Sequence, residues 1–116
     1  MTNQFTPTIN HFSATLKLEK LSDSLEFIDD LGTGMIDGLD LNVVKKVDNK
    51  FEPIGRTLIY LLSESHLAIH TWPEYNTLHI DLLSCKDIKK SDFDRVLTGV
   101  LKESKVQDFK SVYHEV

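Results

Sequence analysis

The chain has 116 residues, of which 41% are hydrophobic and 27% charged, with a formal net charge of -5. This length suits one domain, and the acidic balance argues against a nucleic-acid partner, which needs a basic surface. A single cysteine excludes an internal disulfide and suits the reducing cytoplasm, and the sequence shows neither a signal peptide nor an apolar run long enough to cross a membrane.

The first third of the chain predicts a strand followed by a helix. Apolar residues alternate with polar ones over residues 12–18, then recur at helical spacing over residues 21–35. Asp23 with Glu26 three residues later is a candidate N-terminal cap. Two glycines in the second half of the helix favour an end near Leu31.

The rest of the chain predicts five strands and one more helix. The strands fall at residues 39–43, 57–62, 67–71, 77–83 and 106–113, with a turn at 48–50 and a helix over 93–101 that Ser91 caps. The order β-α-β-β-β-β-α-β predicts an α+β, two-layer sandwich with a mainly antiparallel sheet and two helices on one face. The other face would remain partly uncovered, where a partner subunit could bury it.

The stretch from residue 62 to 74 is unusually polar for a segment between apolar strands. It contains two serines, two histidines, two carboxylates and a tryptophan. Buried polar groups cost free energy unless each finds a partner, so this density indicates chemistry rather than stability.

Several interpretations of these residues remain open from spacing alone. His66 and His70 point to one face of a strand and could bind zinc with Cys85 and His79, or they could be structural histidines. Cys85 could be inert core or a nucleophile paired with histidine. Trp72 and Phe51 could be aromatics in the core or at its edge, or they could stack on a flat ligand. No Gly-x-Ser-x-Gly elbow is present, which disfavours that type of hydrolase.

Residues 51–85 carry a specific resemblance. The segment begins Phe-Glu-Pro-Ile-Gly-Arg-Thr, continues with Leu-Leu-Ser-Glu-Ser-His-Leu-Ala-Ile-His-Thr-Trp-Pro-Glu-Tyr, and ends with Asp81 and Ser84-Cys85. This pattern resembles the prokaryotic S-adenosylmethionine decarboxylase proenzyme family, which is pyruvoyl-dependent and self-processing.

The resemblance implies that the chain cleaves itself between Glu64 and Ser65, giving subunits 1–64 and 65–116. The Ser65 hydroxyl attacks the preceding carbonyl to form an ester. Loss of the serine α-proton then eliminates the ester and leaves a dehydroalanine, which hydrolyses to the covalent pyruvoyl group that serves as the cofactor. His70 corresponds to the base for the elimination, and Thr57 to a hydroxyl that assists processing.

The resemblance also implies how the processed enzyme works. The pyruvoyl ketone forms a Schiff base with the substrate amine, carbon dioxide leaves, and Cys85 returns a proton to the carbon. Phe51 and Trp72 match positions that stack on adenine, and Glu74 matches a carboxylate that holds the ribose hydroxyls. Leu67 falls in the same substrate site.

Family members are homodimers with active sites near the subunit interface, they supply polyamine (spermidine) synthesis, and no metal is implied.

Departures from the family pattern leave the substrate open. The usual Gly-x-His start followed by an aspartate is replaced over residues 9–15, the usual residues between Tyr75 and Asp81 differ, and Lys86 replaces a glycine. The leading hypothesis is decarboxylation of S-adenosylmethionine. A second keeps the pyruvoyl group but acts on L-arginine or L-ornithine. A third is an unprocessed, non-catalytic binding or regulatory protein.

Overall fold

The computed structural model describes residues 7–115, so the sequence before Pro7, where the absence of a signal peptide was predicted, lies outside the described part. The elements in chain order are β1 (Asn10–Leu18), α1 (Leu25–Gly38), β2 (Val43–Lys50), β3 (Arg56–Leu62), β4 (Ser65–Trp72), a short 3-10 helix (Pro73–Tyr75), β5 (Thr77–Ser84), α2 (Lys90–Val100) and β6 (Val106–His114). This order confirms the predicted succession of strands and helices.

All six strands form one sheet in the order β2-β3-β4-β5-β1-β6. Every neighbouring pair is antiparallel. The helices pack on one face of this sheet, which confirms the predicted α+β sandwich. Within the described residues, no helix is both long and apolar enough to cross a membrane.

The core lies between the helices and every second residue of the inner strands. Leu58, Ile69, Ile80 and Leu16 from four neighbouring strands are each fully buried, and they belong to one apolar cluster with residues of both helices. The alternate residues of each strand point to the opposite side of the sheet. No helix of residues 7–115 packs on that side, which is named the open face.

Helix α1 begins and ends differently from the sequence prediction. Ser24, rather than Asp23, is the N-cap, and its side chain accepts a hydrogen bond from the Phe27 amide. The helix also continues past Leu31, because Gly32 and Gly34 serve close packing instead of ending the helix. A Cβ at Gly32 would lie 2.4 Å from the Tyr60 ring.

Most of the predicted strand at residues 39–43 is the turn that follows the last residue of α1, Gly38. Asp40 adopts a left-handed conformation with φ of 55°, and the Leu41 amide donates to the Ile36 carbonyl at 2.9 Å. These are the marks of a Schellman motif, in which apolar residues after the helix pack back on it. Strand β2 therefore begins at Val43 and runs through residues 48–50, where a turn was predicted.

The N-terminus of α2 is also corrected. Lys89 is the N-cap, and Ser91 lies inside the helix. The Asp92 carboxylate accepts a hydrogen bond from the Lys89 amide at 3.1 Å, which satisfies one of the unpaired donors of the first turn.

Candidate active site

The predicted site residues form two groups at opposite ends of strand β4. The cleavage-end cluster consists of Ser63, Glu64, Ser65 and Cys85. The aromatic-end cluster consists of the residues that line or border a groove at the other end of the strand. These are Phe51, Thr57, His70, Trp72 and Glu74.

The cleavage-end cluster is built on a tight hairpin turn. Leu62 and Ser65 are paired across the hairpin, so Ser63 and Glu64 are its two central residues. Glu64 has a φ of 61°, a left-handed conformation that costs a residue with a side chain roughly 1–2 kcal/mol. The peptide bond predicted to break, between Glu64 and Ser65, therefore adjoins a strained backbone position.

Neighbouring groups hold this turn in place. The Ser63 amide donates to the Asn42 carbonyl at 3.2 Å, and the Asn42 side-chain amide donates to Ser63 Oγ at 2.9 Å. The Ser65 hydroxyl donates to the Ser63 carbonyl at 3.2 Å, which folds its oxygen back over the turn. Ser65 itself is only 9% exposed.

Cys85 borders the same turn from the neighbouring strand. Its Sγ lies 3.9 Å from the Ser63 carbonyl oxygen and 3.8 Å from Glu64 Oε2. A cavity of about 160 Å³ between the turn and Cys85 is also lined by Asp40 and Lys86. Cys85 is half-buried rather than core, so its thiol is accessible from this cavity.

The aromatic-end cluster forms a groove of about 330 Å³. Phe51 is 50% and Trp72 44% exposed, so the interpretation of these rings as core is wrong. Two exposed aromatic rings with a carboxylate, Glu74, on the same groove suit a flat, apolar ligand that carries polar groups at its edge.

A buried arginine fixes the loop that carries Phe51. Arg56 is 7% exposed, and its guanidinium donates to Asp48 Oδ1 at 2.6 Å and to the Asp23 carbonyl at 2.7 Å. The Asp23 carboxylate in turn accepts from the Gly55 amide at 2.8 Å. The loop between β2 and β3 is therefore tied to the start of α1, which orients the groove wall.

His70 is the titratable group between the groove and the open face. Its Nδ1 is hydrogen-bonded to Thr57 Oγ1 at 2.9 Å, and its ring lies 6.4 Å from that of Trp72. Burial and then the neighbouring His79 lower the pKa of His70, whereas Asp81 opposes this change. His70 is therefore suited to accept a proton at neutral pH.

Asp81 sits near the centre of the open face between two imidazoles. His11 Nε2 lies 2.8 Å from one of its carboxylate oxygens and His66 Nε2 lies 3.1 Å from the other. Burial raises the pKa of Asp81, but the hydrogen bonds from His11 and His66 outweigh it, and the pKa lies below its ordinary value. The carboxylate is a fixed negative charge shared by two histidines.

The structure does not bring the two clusters together within one chain. Ser65 and His70 lie five residues apart on β4, and an extended strand rises ~3.3 Å per residue, which separates them by about 16 Å. A side chain cannot cross that distance. The His70 of a chain therefore cannot reach the Ser65 of the same chain in this conformation.

Two further expectations concern Leu67 and a zinc site. Leu67 faces the helices and is fully buried, so its side chain lines neither cluster. Among residues 7–115, no three histidine, cysteine or acidic side chains are grouped so as to hold a metal ion, which removes the support for a zinc site formed by His66, His70, His79 and Cys85.

Sequence reasoning missed the partners of several site residues. His11 enters the Asp81 network from β1, and Arg56, Asp48 and Asp23 form the loop anchor. Alternation of polar residues on β1 was visible in the sequence, but the pairing of His11 with Asp81 depends on strand register.

Both the fold and the sequence match known proteins. The structure matches the crystal structure of the adenosylmethionine decarboxylase from Aquifex aeolicus VF5, with a TM-score of 0.77 and 26% identity, covering 94% of this chain and 90% of that one. The architecture is thus that of an adenosylmethionine decarboxylase. Residues 14–111 also match the family model described as S-adenosylmethionine decarboxylase. The chain belongs to this family.

Relatives in sequence carry the same description. A protein of Archaeoglobus fulgidus described as "S-adenosylmethionine decarboxylase proenzyme" is 38% identical over 72 residues, 62% of this chain and 64% of that protein. One of Clostridium botulinum with the same description is 34% identical over 90 residues, 78% of this chain and 73% of that protein. The chain thus spans just under two thirds of the length of the archaeal relative.

Proposed function

We propose that this protein is a pyruvoyl-dependent decarboxylase that forms its own cofactor at Ser65 and acts on S-adenosylmethionine. The observation that carries the proposal is the cleavage-end turn. A buried serine follows a left-handed Glu64, and its hydroxyl is folded back over the turn. Membership of the S-adenosylmethionine decarboxylase family, and the word proenzyme in the names of its relatives, support the same function.

The residues around Ser65 fit the proposed cofactor. Serine is required because its oxygen first attacks the Glu64 carbonyl, forming an ester as the peptide C–N bond breaks. The same oxygen then leaves with the Glu64 acyl group as the α-proton is lost, and water converts the resulting dehydroalanine to the pyruvoyl group with release of ammonia. When formed, the pyruvoyl group supplies a ketone that acts as a covalent electron sink. Cys85 borders the cavity beside this position, where its thiol can deliver a proton to the decarboxylated carbon.

The groove at the aromatic end supports the choice of substrate. Its volume of about 330 Å³ is at the lower end for small-molecule pockets. Phe51 and Trp72 offer faces for an adenine ring, Glu74 offers a carboxylate for ribose hydroxyls, and aromatic faces also attract a sulfonium cation. In the cell this activity would provide aminopropyl groups for polyamine synthesis.

We further propose that the active form is a homodimer joined through the open face. The open face carries exposed apolar side chains, which suits burial by a second copy. These are Val47, Ile59, Leu61 and Val112, which are 50%, 37%, 48% and 39% exposed. A two-fold axis that reverses the strand direction would place the cleavage-end cluster of one protomer against the aromatic-end cluster of its partner. Each complete site would then consist of the cleavage-end cluster of one protomer and the aromatic-end cluster of its partner.

A second candidate is decarboxylation of L-arginine or L-ornithine by the same cofactor. The observation that favours it is the departure from the family pattern near the N-terminus and over residues 76–80, which follow Glu74 of the groove. Carbon dioxide release measured in parallel from S-adenosylmethionine, L-arginine and L-ornithine separates the two candidates, and release from S-adenosylmethionine alone is expected.

The test of the whole proposal is mass spectrometry of the purified protein after reaction with S-adenosylmethionine and borohydride. We expect two chains corresponding to residues 1–64 and 65–116, with the reduced substrate adduct on the second. An intact chain after prolonged incubation would instead support the unprocessed binding protein.

A further inference from the structure

A row of four polar residues crosses the middle of the open face. Thr57 is directly opposite His70, His70 is opposite His79, and His79 is opposite Thr15. The row therefore reads threonine, histidine, histidine, threonine across strands β3, β4, β5 and β1. Of this row, only His70 and Thr57 have a role in the self-processing that the family resemblance implies.

Each imidazole of the row is tied to the threonine on its outer side. Thr57 Oγ1 is 2.9 Å from His70 Nδ1, and Thr15 Oγ1 is 2.9 Å from His79 Nδ1. Directly opposite residues of antiparallel strands have Cβ atoms about 4.5–5.5 Å apart. The two rings are thus held as neighbours, and a proton on one disfavours a second proton on the other.

His79 is the titratable group directly opposite His70 in the sheet. On β3 the facing residues are Thr57 and Ile59, which do not titrate in this range. Asp81 follows His79 on the same face of β5, and His66 precedes His70 on the same face of β4. His66 and Asp81 are already hydrogen-bonded to each other. Glu74 borders the groove beyond Trp72.

His79 and His70 also border one shared depression on the open face. This depression is lined by Ile59, Ala68 and Asp81 as well as by the histidines. Burial lowers the pKa of His70. The neighbouring His79 lowers the pKa of His70 further, while Asp81 opposes both effects. Burial and the neighbouring His79 therefore both favour the neutral form of His70.

We propose that His79 is a positioning residue that keeps His70 unprotonated, so that His70 can act as the base of self-processing at mildly acidic pH. This inference rests on the proposed function. The Thr15 hydroxyl holds the His79 ring in the row, which makes Thr15 part of the same arrangement. His79 itself touches neither the scissile bond nor the groove in this chain.

The test compares the pH dependence of self-processing in wild type and in His79→Asn. Asparagine retains an acceptor for the Thr15 hydroxyl but cannot become charged. We expect the acid limb of the pH–rate profile to move to higher pH and the rate at pH 6 to fall about threefold, the size of a modest like-charge interaction between two neighbouring imidazoles. Thr15→Val, which removes the anchor and leaves the imidazole, should give a smaller movement in the same direction.

The matched control is His114→Asn on β6. This substitution also removes one open-face histidine, one that is hydrogen-bonded to Ser13 at 2.7 Å, but it lies outside the row. Its acid limb should stay at the wild-type position. An equal displacement in His114→Asn and His79→Asn would overturn the inference, because it would reflect the charge of the face rather than the row.

A second measurement separates this inference from the proposed function. NMR titration of the His70 ring protons in uncleaved Ser65→Ala protein, with and without His79→Asn, reports the protonation of His70 directly. A midpoint that rises on His79→Asn supports the inference even in a chain that never processes. An unchanged midpoint overturns it, whereas failure of the proposed function appears separately as a wild-type chain that stays intact at every pH.

Discussion

The two ends of strand β4 differ in how they are built. The cleavage end is a closed turn, held by Asn42 and strained at Glu64. The aromatic end is an open groove with half-exposed rings, held by the buried Arg56. A closed, strained turn suits a reaction of the chain on itself, and an open groove suits a molecule that enters and leaves. Under the proposed function, the bond that breaks and the surface that binds the substrate therefore lie at opposite ends of one strand, and a complete site needs both ends.

Removing the nucleophile is the largest expected effect at the cleavage end. Ser65→Ala should remain a single chain, because the attacking hydroxyl must belong to the residue that follows Glu64, and alanine has none. Ser63→Ala is the matched control on the same turn and should still be cleaved. Denaturing mass spectrometry distinguishes the two, and cleavage of Ser65→Ala would remove Ser65 from its proposed role.

Cys85→Ala should separate processing from decarboxylation. Its thiol lines the cavity but makes only long contacts to the turn, so cleavage should still occur. Turnover should fall ~100-fold or more, the size of a lost general acid. Carbon dioxide release from cleaved protein is the measurement. Unchanged turnover would assign the proton donor elsewhere.

Trp72→Ala should affect only the aromatic end. Loss of one stacking face should raise KM for S-adenosylmethionine about tenfold, because an aromatic pair contributes roughly 0.5–1.5 kcal/mol beyond its buried area. Cleavage should proceed as in wild type. Tyr75→Ala is the control, since this ring is 66% exposed and does not line the groove. An equal change in both variants would contradict the placement of the substrate.

Asp81→Asn should have the smallest effect and a defined pH dependence. The pKa of Asp81 lies below its ordinary value in the folded protein, so its contribution is present above the unfolded pKa of about 3.9 and is lost as pH falls through the folded pKa. Urea unfolding should show about 1 kcal/mol of destabilisation at pH 6. A difference from wild type that stays constant down to pH 3 would contradict this account.

The sequence was most informative where one face of an element is buried. Apolar, β-like runs correctly predicted β3, β4 and β5, since the inner residues of these strands lie in the core. Strand β2 was missed over most of its length because all eight of its residues are exposed at the sheet edge, so no alternation marks it. Its pairing with β3 is set by backbone hydrogen bonds that leave no trace in residue type.

The sequence proposes the members of the candidate site but not their arrangement. The signature around Ser65 and His70 is the source of the proposed site residues. Their separation by about 16 Å follows only from the extended strand between them. The contact of His11 and His66 with one carboxylate required the register of β1, β4 and β5, which residue patterns do not specify.

The central claim is that a complete site needs the cleavage end of one protomer and the aromatic end of its partner. The most direct measurement is co-expression of Ser65→Ala and His70→Asn chains, followed by mass spectrometry of the purified mixed dimers. Each variant alone should stay intact. In the mixed dimer the His70→Asn chain should be cleaved, because its intact Ser65 meets the His70 of the Ser65→Ala partner. Mixed dimers in which neither chain is cleaved, from conditions where wild type processes fully, would contradict the account.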